Sequence, residues 1–208
     1  MRQEKLRVGV LASHGGSNLQ ALIDAAAAAD YPARVVLVIS NNSESGALAR
    51  AARAGIPTRH LSGATHPDPA DLDRAIAAAL RDHGVELVAL AGYMKKLGPL
   101  TLERFAGRIV NIHPALLPDF GGPGFWGHHV HQAVIAAGAR ESGPTVHLVT
   151  AEYDQGPILG QIRVPVLPDD TPDELAARVL EQEHKLYPEV IRRIATGEID
   201  LDRAAKES

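Results

Sequence analysis

Cysteine is missing from all 208 positions, so neither a disulfide framework nor a thiol nucleophile is available to this chain. Aromatic residues make up only 4% of it. Alanine, valine, leucine and isoleucine must therefore fill the core, with Ala-rich helices packing close. Positive charge is not in excess either. The 21 Lys and Arg stand against 25 Asp and Glu, a formal net charge of −4, which leaves no basic field for a nucleic-acid backbone or an anionic membrane. Any phosphate recognition has to be local. Long apolar runs are also lacking: the opening MRQEKLRVGVLAS has a charged start and an apolar stretch too short for an export signal or a membrane span. The expectation is a soluble, cytoplasmic protein. What the sequence does have is 45% apolar residues, enough for one sizeable core, in a length at the upper end of one ordinary domain.

The order of elements predicts an α/β fold of Rossmann-like type. Leu6 to Ala12 reads as an interior parallel strand, Ser13 to Asn18 as a glycine-containing turn, and Leu19 to about Ala29 as a helix. Strand, turn and helix in that order gather free N–H groups and a positive helix end at one point, which is an anion site. The loop has no Gly-x-x-x-x-Gly-Lys and does not fit Gly-x-Gly-x-x-Gly, and the second strand, Arg34 to Ile39, ends in Ser40, Asn41 and Asn42 instead of an acid. A monophosphate suits it better than a triphosphate or a dinucleotide. A plain helix cap by Ser17 or Asn18 is the alternative. Further helices over 44–54 and 71–83 and strands over 57–61 and 86–91 continue the alternation, so the sheet is mostly parallel with helices on both faces. Pro99 to Phe105 is expected to be a helix that returns the chain.

Chemistry is concentrated in Arg108 to Pro118, RIVNIHPALLP. Ile109, Val110 and Ile112 predict a short buried strand, which places Asn111 and His113 on one face at its carboxyl end before Pro114 stops it. Ligands sit at such strand ends in open α/β sheets. A capping asparagine and a hydrogen-bonded core histidine would fit the same dipeptide. In Gly143 to Ile158, GPTVHLVTAEYDQGPI, a strand breaks into a polar loop carrying Asp154. A carboxylate there can reach His113 and favour its imidazolium form. An amide donor, a cationic donor and a tuning carboxylate make a set suited to stabilising an oxyanion at a carbonyl centre.

Other stretches are less specific. Tyr93 and Met94 in AGYMKKL could wall a flat heterocycle or be plain core. Gly121 to His131 reads as a mobile loop carrying Phe125 and Trp126, followed by a helix from about His129 to Ala137. His128, His129 and His131 do not match a zinc-hydrolase helix, so no metal is expected. Ile158 to Val166 is expected to be a single antiparallel edge strand. A helix starting at Thr171-Pro172-Asp173-Glu174 should stop at Pro188 and resume toward Ala195. Residues 199–208 are expected to be a frayed tail.

NIHPALLP, TVHLVTAEYDQGPI and the amino-terminal SHGGSNLQ together resemble the glycinamide ribonucleotide formyltransferases of purine biosynthesis, from about Leu6 to about Glu198. The resemblance implies one formyltransferase domain, with a phosphate-binding half over 1–100 and a catalytic and folate-binding half over 101–198. It implies 10-formyltetrahydrofolate as donor and glycinamide ribonucleotide as acceptor, with no nucleic acid, membrane or metal involved. Monomer and homodimer both remain open. Asn111, His113 and Asp154 match the family's catalytic residues, and Gly16, Ser17 and Asn18 its phosphate loop. Glu183 matches an acid that hydrogen-bonds the nucleotide; from the residues alone it would read as an exposed acid on a polar face. The folate would lie against Met94, Lys95, Lys96 and Leu97, against Thr150, Ala151, Glu152, Tyr153 and Asp154, and beside Asn111. His131 matches a histidine near the formyl site. Two positions depart from the pattern. His14 stands where the family has glycine, and Pro69 stands near where it has a basic folate contact. The alternatives are another formyltetrahydrofolate user (a hydrolase or an amino-group formyltransferase), a non-catalytic phosphoribosyl-ligand binder, or a serine hydrolase using Ser17.

Overall fold

The computed structural model describes residues 4–122, 124–125 and 127–206; Pro123 and Trp126 of the glycine-rich loop lie outside the described residues, as do 207 and 208 of the expected tail. The first half runs β1 (Leu6–Ala12), α1 (Ser17–Ala26), β2 (Ala33–Ser40), α2 (Gly46–Arg53), β3 (Thr58–His60), α3 (Pro69–Asp82), β4 (Leu87–Leu90) and α4 (Pro99–Arg104). The second half runs β5 (Ile109–His113), α5 (His128–Ala136), β6 (Glu141–Ser142), β7 (Thr145–Leu148), β8 (Ile158–Gln161), β9 (Val164–Pro165), α6 (Pro172–Ala195) and α7 (Leu201–Ala204). The main sheet has the order β3-β2-β1-β4-β5-β7-β8. Its first five strands are parallel, whereas β7 and β8 add on antiparallel.

Strands buried on both faces alternate their side chains between two apolar layers. Val8, Val10 and Ala12 of β1 and Val110 and Ile112 of β5 join Leu19 and Leu22 of α1 and Leu186, Tyr187, Val190 and Ile191 of α6 in one layer. Leu11 and Ile109 face the other, with Ile76 and Leu80 of α3. The two layers account for the parity at β5: once Val110 and Ile112 point into the first, Asn111 and His113 must take the opposite face. Tyr187 is fully buried in the first layer, and its hydroxyl donates to the carbonyls of Leu90 (2.9 Å) and Val110 (3.2 Å), where β4 and β5 meet. Each such buried aromatic or aliphatic side chain is worth about 1.5–3 kcal/mol.

Three expectations are corrected. The stretch Ile158 to Val166 is two strands: β8 edges the main sheet and β9 pairs separately with β6. The helix does not stop at Pro188, although that proline denies a donor to the carbonyl one turn back. Leu186, Tyr187, Val190 and Ile191 bury on both sides of it, and this packing outweighs the local loss; the Tyr31 hydroxyl donates to the Pro188 carbonyl at 2.8 Å. The expected frayed tail contains α7, capped by Asp200, anchored by buried Leu201 and tied by Asp202 to Arg108 at 2.8 Å. Pro69 is the first residue of α3, whose N-cap Asp68 accepts from Ala70 and Asp71, so proline serves a helix start there.

Candidate active site

The strand order reverses direction between β1 and β4, and the chain carries its polar turns to that point. Ser13, just past β1, is the stitch. Its N–H donates to the Gly92 carbonyl at 3.0 Å, and its hydroxyl donates to Asn41 Oδ1 at 2.6 Å and accepts from the Met94 N–H at 2.8 Å. One small side chain thus joins the ends of β1, β2 and β4. Beyond it, Gly16 adopts a left-handed backbone (φ 73°) as the N-cap of α1, and no side chain caps the helix. The alternative of a Ser17 or Asn18 cap is therefore not what the chain forms. No side chain therefore accepts from the first N–H groups of α1.

A cleft of about 760 Å³ opens where β4 and β5 end. Asn111 and His113 line it side by side, as strand parity requires, and the loop between β7 and β8 brings Asp154 to them. Asp154 Oδ2 lies 3.6 Å from His113 Nδ1, and its Oδ1 lies 3.4 Å from His147 Nε2. Asp154 takes a left-handed backbone (φ 54°), a conformation that costs a non-glycine residue of order 1–3 kcal/mol and that the surrounding bonds maintain. Gly122 N–H donates to Oδ2 at 2.9 Å. Across the β5–β7 register, Asn111 faces His147, and Asn111 Nδ2 is 3.2 Å from His147 Nε2.

Carbonyl acceptors set the tautomers of both rings. His147 Nδ1 donates to the Leu148 carbonyl at 2.8 Å, so a neutral ring offers its Nε2 lone pair to Asn111, and a protonated one turns Nε2–H toward Asp154. His113 Nε2 donates to the Phe120 carbonyl at 2.8 Å, which leaves Nδ1 as the proton-accepting position beside Asp154. His113 is only 4% exposed, and burial is the largest influence on it. It pushes the imidazole below its ordinary range, while Asp154 and the Phe120 carbonyl pull it up and His147 pushes it further down. Asp154 acts in the expected sense but is outweighed, so the balance of these influences favours the neutral ring over the expected imidazolium. For Asp154, burial pushes the carboxyl up, and the neighbouring His147 and His113 rings and the Gly122 N–H together hold it below its ordinary value.

The cleft gathers most of the residues singled out in the sequence. Asn18, Met94, Lys95, Lys96, Leu97, Thr150, Ala151, Tyr153, His131 and Glu183 line it together with the catalytic candidates. Gly16 and Ser17, at the start of α1, do not line it, and neither does Glu152. Glu183 is buried, not on an exposed face, and accepts from Asn18 Nδ2 at 2.6 Å; burial pushes its carboxyl up against that bond. At the mouth, Met94 and Tyr153 are exposed and the Lys96 ammonium sits 5.4 Å from the Tyr153 ring centre. His131 is buried and its Nδ1 meets no partner among the described residues. Burial, and after it the neighbouring His128 and His113 rings, pushes its ring down to about 4. His128 sits 3.3 Å from Asp173 at the surface. Among the described residues, no group of three or more His, Cys, Asp or Glu is placed to hold a metal ion, and no helix is long and apolar enough to cross a membrane.

His147 and the Phe120 carbonyl were not found from sequence. His147 had a readable parity, but only the pairing of β7 with β5 tells that this parity faces Asn111. Phe120 takes a left-handed backbone (φ 54°), which the sequence does not signal in a bulky aromatic residue.

The formyl transferase family matches residues 6–191 of this chain. The phosphoribosylglycinamide formyltransferase of Haemophilus influenzae is 42% identical over 195 residues, covering 94% of this chain and 90% of the relative. The phosphoribosylglycinamide formyltransferase of Brucella melitensis, known as a crystal structure, is 45% identical with a TM-score of 0.86 and covers 95% of this chain and 99% of that one. The crystal structure of glycinamide ribonucleotide transformylase 1 from Symbiobacterium toebii is similar at a TM-score of 0.87 and 43% identity, covering 93% and 89%.

Proposed function

The chain belongs to the formyl transferase family, and from that premise we propose that it moves a formyl group from 10-formyltetrahydrofolate to the amine of glycinamide ribonucleotide, in purine biosynthesis in the cytoplasm. The observation that carries this reading is the convergence of Asn111, His113 and Asp154 on one wall of a cleft that Asn18 and Glu183 reach from one side and Met94 to Leu97 from another. The half over 1–100 contributes the phosphate loop, Gly16, Ser17 and Asn18, where the uncapped start of α1 suits the nucleotide phosphate. Glu183, oriented by Asn18, reaches the ribose. The folate lies against Met94, Lys95, Lys96 and Leu97 and the loop from Thr150 to Asp154, with Lys95 and Lys96 at the open end for its carboxylates.

The glycinamide nitrogen attacks the formyl carbon, and the carbonyl electron pair moves onto oxygen. The Asn111 amide N–H meets that oxyanion. Neutral His113 accepts the amine proton at Nδ1, and the imidazolium so formed is held against Asp154 at the 3.6 Å separation. The proton then passes to the folate nitrogen as its bond to the formyl carbon breaks, giving formylated ribonucleotide and tetrahydrofolate. No covalent enzyme intermediate is required, in keeping with a chain that lacks cysteine and a Gly-x-Ser-x-Gly elbow. The test is to mix the purified protein with both substrates and follow tetrahydrofolate and formylated product. Equimolar release of the two supports the transferase. Tetrahydrofolate appearing without acceptor would make it a hydrolase, and no turnover would leave only a binder.

A further inference from the structure

The turn that follows β1 is seated on α2, which donates to two of its carbonyls. The His14 carbonyl accepts from the Ala47 N–H at 3.1 Å, and the Gly15 carbonyl accepts from Arg50 Nε at 2.8 Å. A second guanidinium nitrogen of Arg50 donates to Gln20 Oε1 of α1 at 3.1 Å. The turn and α2 are in backbone contact: a Cβ on Gly46 would meet the Gly15 oxygen at 2.8 Å, and one on Gly16 would meet Ala47 Cα at 2.7 Å. Arg50 therefore clamps a loop already seated on its own helix. All its acceptors are neutral, and among the described residues no carboxylate forms an ion pair with it, so its charge is uncancelled behind the loop. That charge reaches His184 on α6, next to Glu183, whose ring is lowered by burial and then by Arg50.

We infer that Arg50 is a positioning residue for acceptor binding: its fork fixes the Gly15 carbonyl outward and α1 in register, so that the loop N–H groups face the phosphate of the ribonucleotide. It acts through Gly15 and Gln20 without touching substrate. This rests on the reading of that loop as the phosphate site. Hydrogen bonds from a charged donor correspond to roughly a ten- to hundredfold change in an equilibrium. The geometry cannot be copied by lysine, which lacks the planar fork.

The experiment measures kcat and both KM values for wild type, Arg50→Ala and Arg50→Lys. Thermal melts of the same samples establish that the variants fold. Glycinamide ribonucleotide is compared with its dephosphorylated riboside as acceptor. Expected for Arg50→Ala is about a tenfold or greater rise in KM for the ribonucleotide, with kcat and the KM for 10-formyltetrahydrofolate within about twofold. The preference for ribonucleotide over riboside shrinks in parallel, and Arg50→Lys falls between Ala and wild type. An unchanged nucleotide KM, or equal losses toward both substrates, overturns the positioning role. If wild type itself does not prefer the phosphorylated acceptor, the phosphate-loop reading fails; if wild type prefers it and Arg50→Ala prefers it equally, only the inference about Arg50 fails.

Discussion

Asn111 on β5 and His147 on β7 stand opposite each other in an antiparallel pair, and the amide nitrogen of one lies 3.2 Å from Nε2 of the other. This contact fixes which end of the Asn111 amide is nitrogen, and so commits the remaining N–H to the cleft. Losing one oxyanion donor typically costs about a hundred- to a thousandfold in turnover. Asn111→Ala is therefore expected to lower kcat by that factor, with a melting temperature close to wild type because the side chain is only half-buried. Steady-state kinetics beside a thermal melt decides it. Near-normal turnover removes Asn111 from the chemistry.

His147 acts through its neighbours, since its Nε2 lies within 3.4 Å of both Asn111 and Asp154 while the Leu148 carbonyl holds its other nitrogen. Residues that act as one unit are not additive when removed. The expected outcome of a double-mutant cycle is that His147→Phe lowers kcat by roughly ten- to a hundredfold on its own but by less than about threefold in an Asn111→Ala background. Fully additive losses would show that His147 does not work by orienting Asn111.

What could be read in advance divides along covalent reach. Strand periodicity and the Pro114 stop place Asn111 and His113 on one face at a strand end, and the structure agrees because β5 is sandwiched between two apolar layers that leave no other parity. The loop carrying Asp154 could be read for the same reason. The direction in which His113 is shifted could not, since it depends on how far the fold removes the ring from water, and burial outweighs the carboxylate at 3.6 Å. Pro188 and the segment after Asp200 went the other way for a related cause. Local signals marked both as ends, but tertiary burial of Tyr187, Val190 and Leu201 carries the chain through. The split of Ile158 to Val166 into β8 and β9 depends on β6, two residues long and without a periodic signal of its own.

Stability should fall as the pH drops below neutrality. A histidine whose folded pKa is lowered binds fewer protons in the native state than in the unfolded chain, so its contribution is complete above the ordinary value of 6.5 and is lost as pH falls toward the folded value. For His131 the window runs from 6.5 down to about 4. His113 adds to it in the same sense. Asp154, held low, adds its own loss only below 3.8, and Glu183, pushed up, works oppositely by losing stability as pH rises above 4.5. Denaturant titrations from pH 7.5 to 4.5 on wild type and His131→Asn isolate the histidine. The variant should show a flatter decline, and identical slopes would mean that His131 does not titrate in this window.

Thr145 is fully buried at the start of β7 opposite His113, and its hydroxyl joins several groups beside β5. It donates to the Ala115 carbonyl at 2.6 Å and accepts from the Leu117 N–H at 3.0 Å and from Gln161 Nε2 at 2.9 Å. Those bonds hold the segment between His113 and Phe120, whose carbonyl fixes the His113 ring. Thr145→Val keeps the shape and removes the hydroxyl, leaving a buried carbonyl and a buried N–H without partners at about 1–3 kcal/mol each. The expected result is a stability loss of roughly 2–4 kcal/mol by denaturant titration, because Gln161 still reaches the Leu117 carbonyl. Turnover should drop at temperatures where the variant is still folded, since the His113 to Phe120 bond is no longer held in place. Thr145→Ser, which retains the hydroxyl, should recover most of both. A Val variant as stable and active as wild type would mean that the segment from Ala115 to Pro118 keeps its position by packing alone.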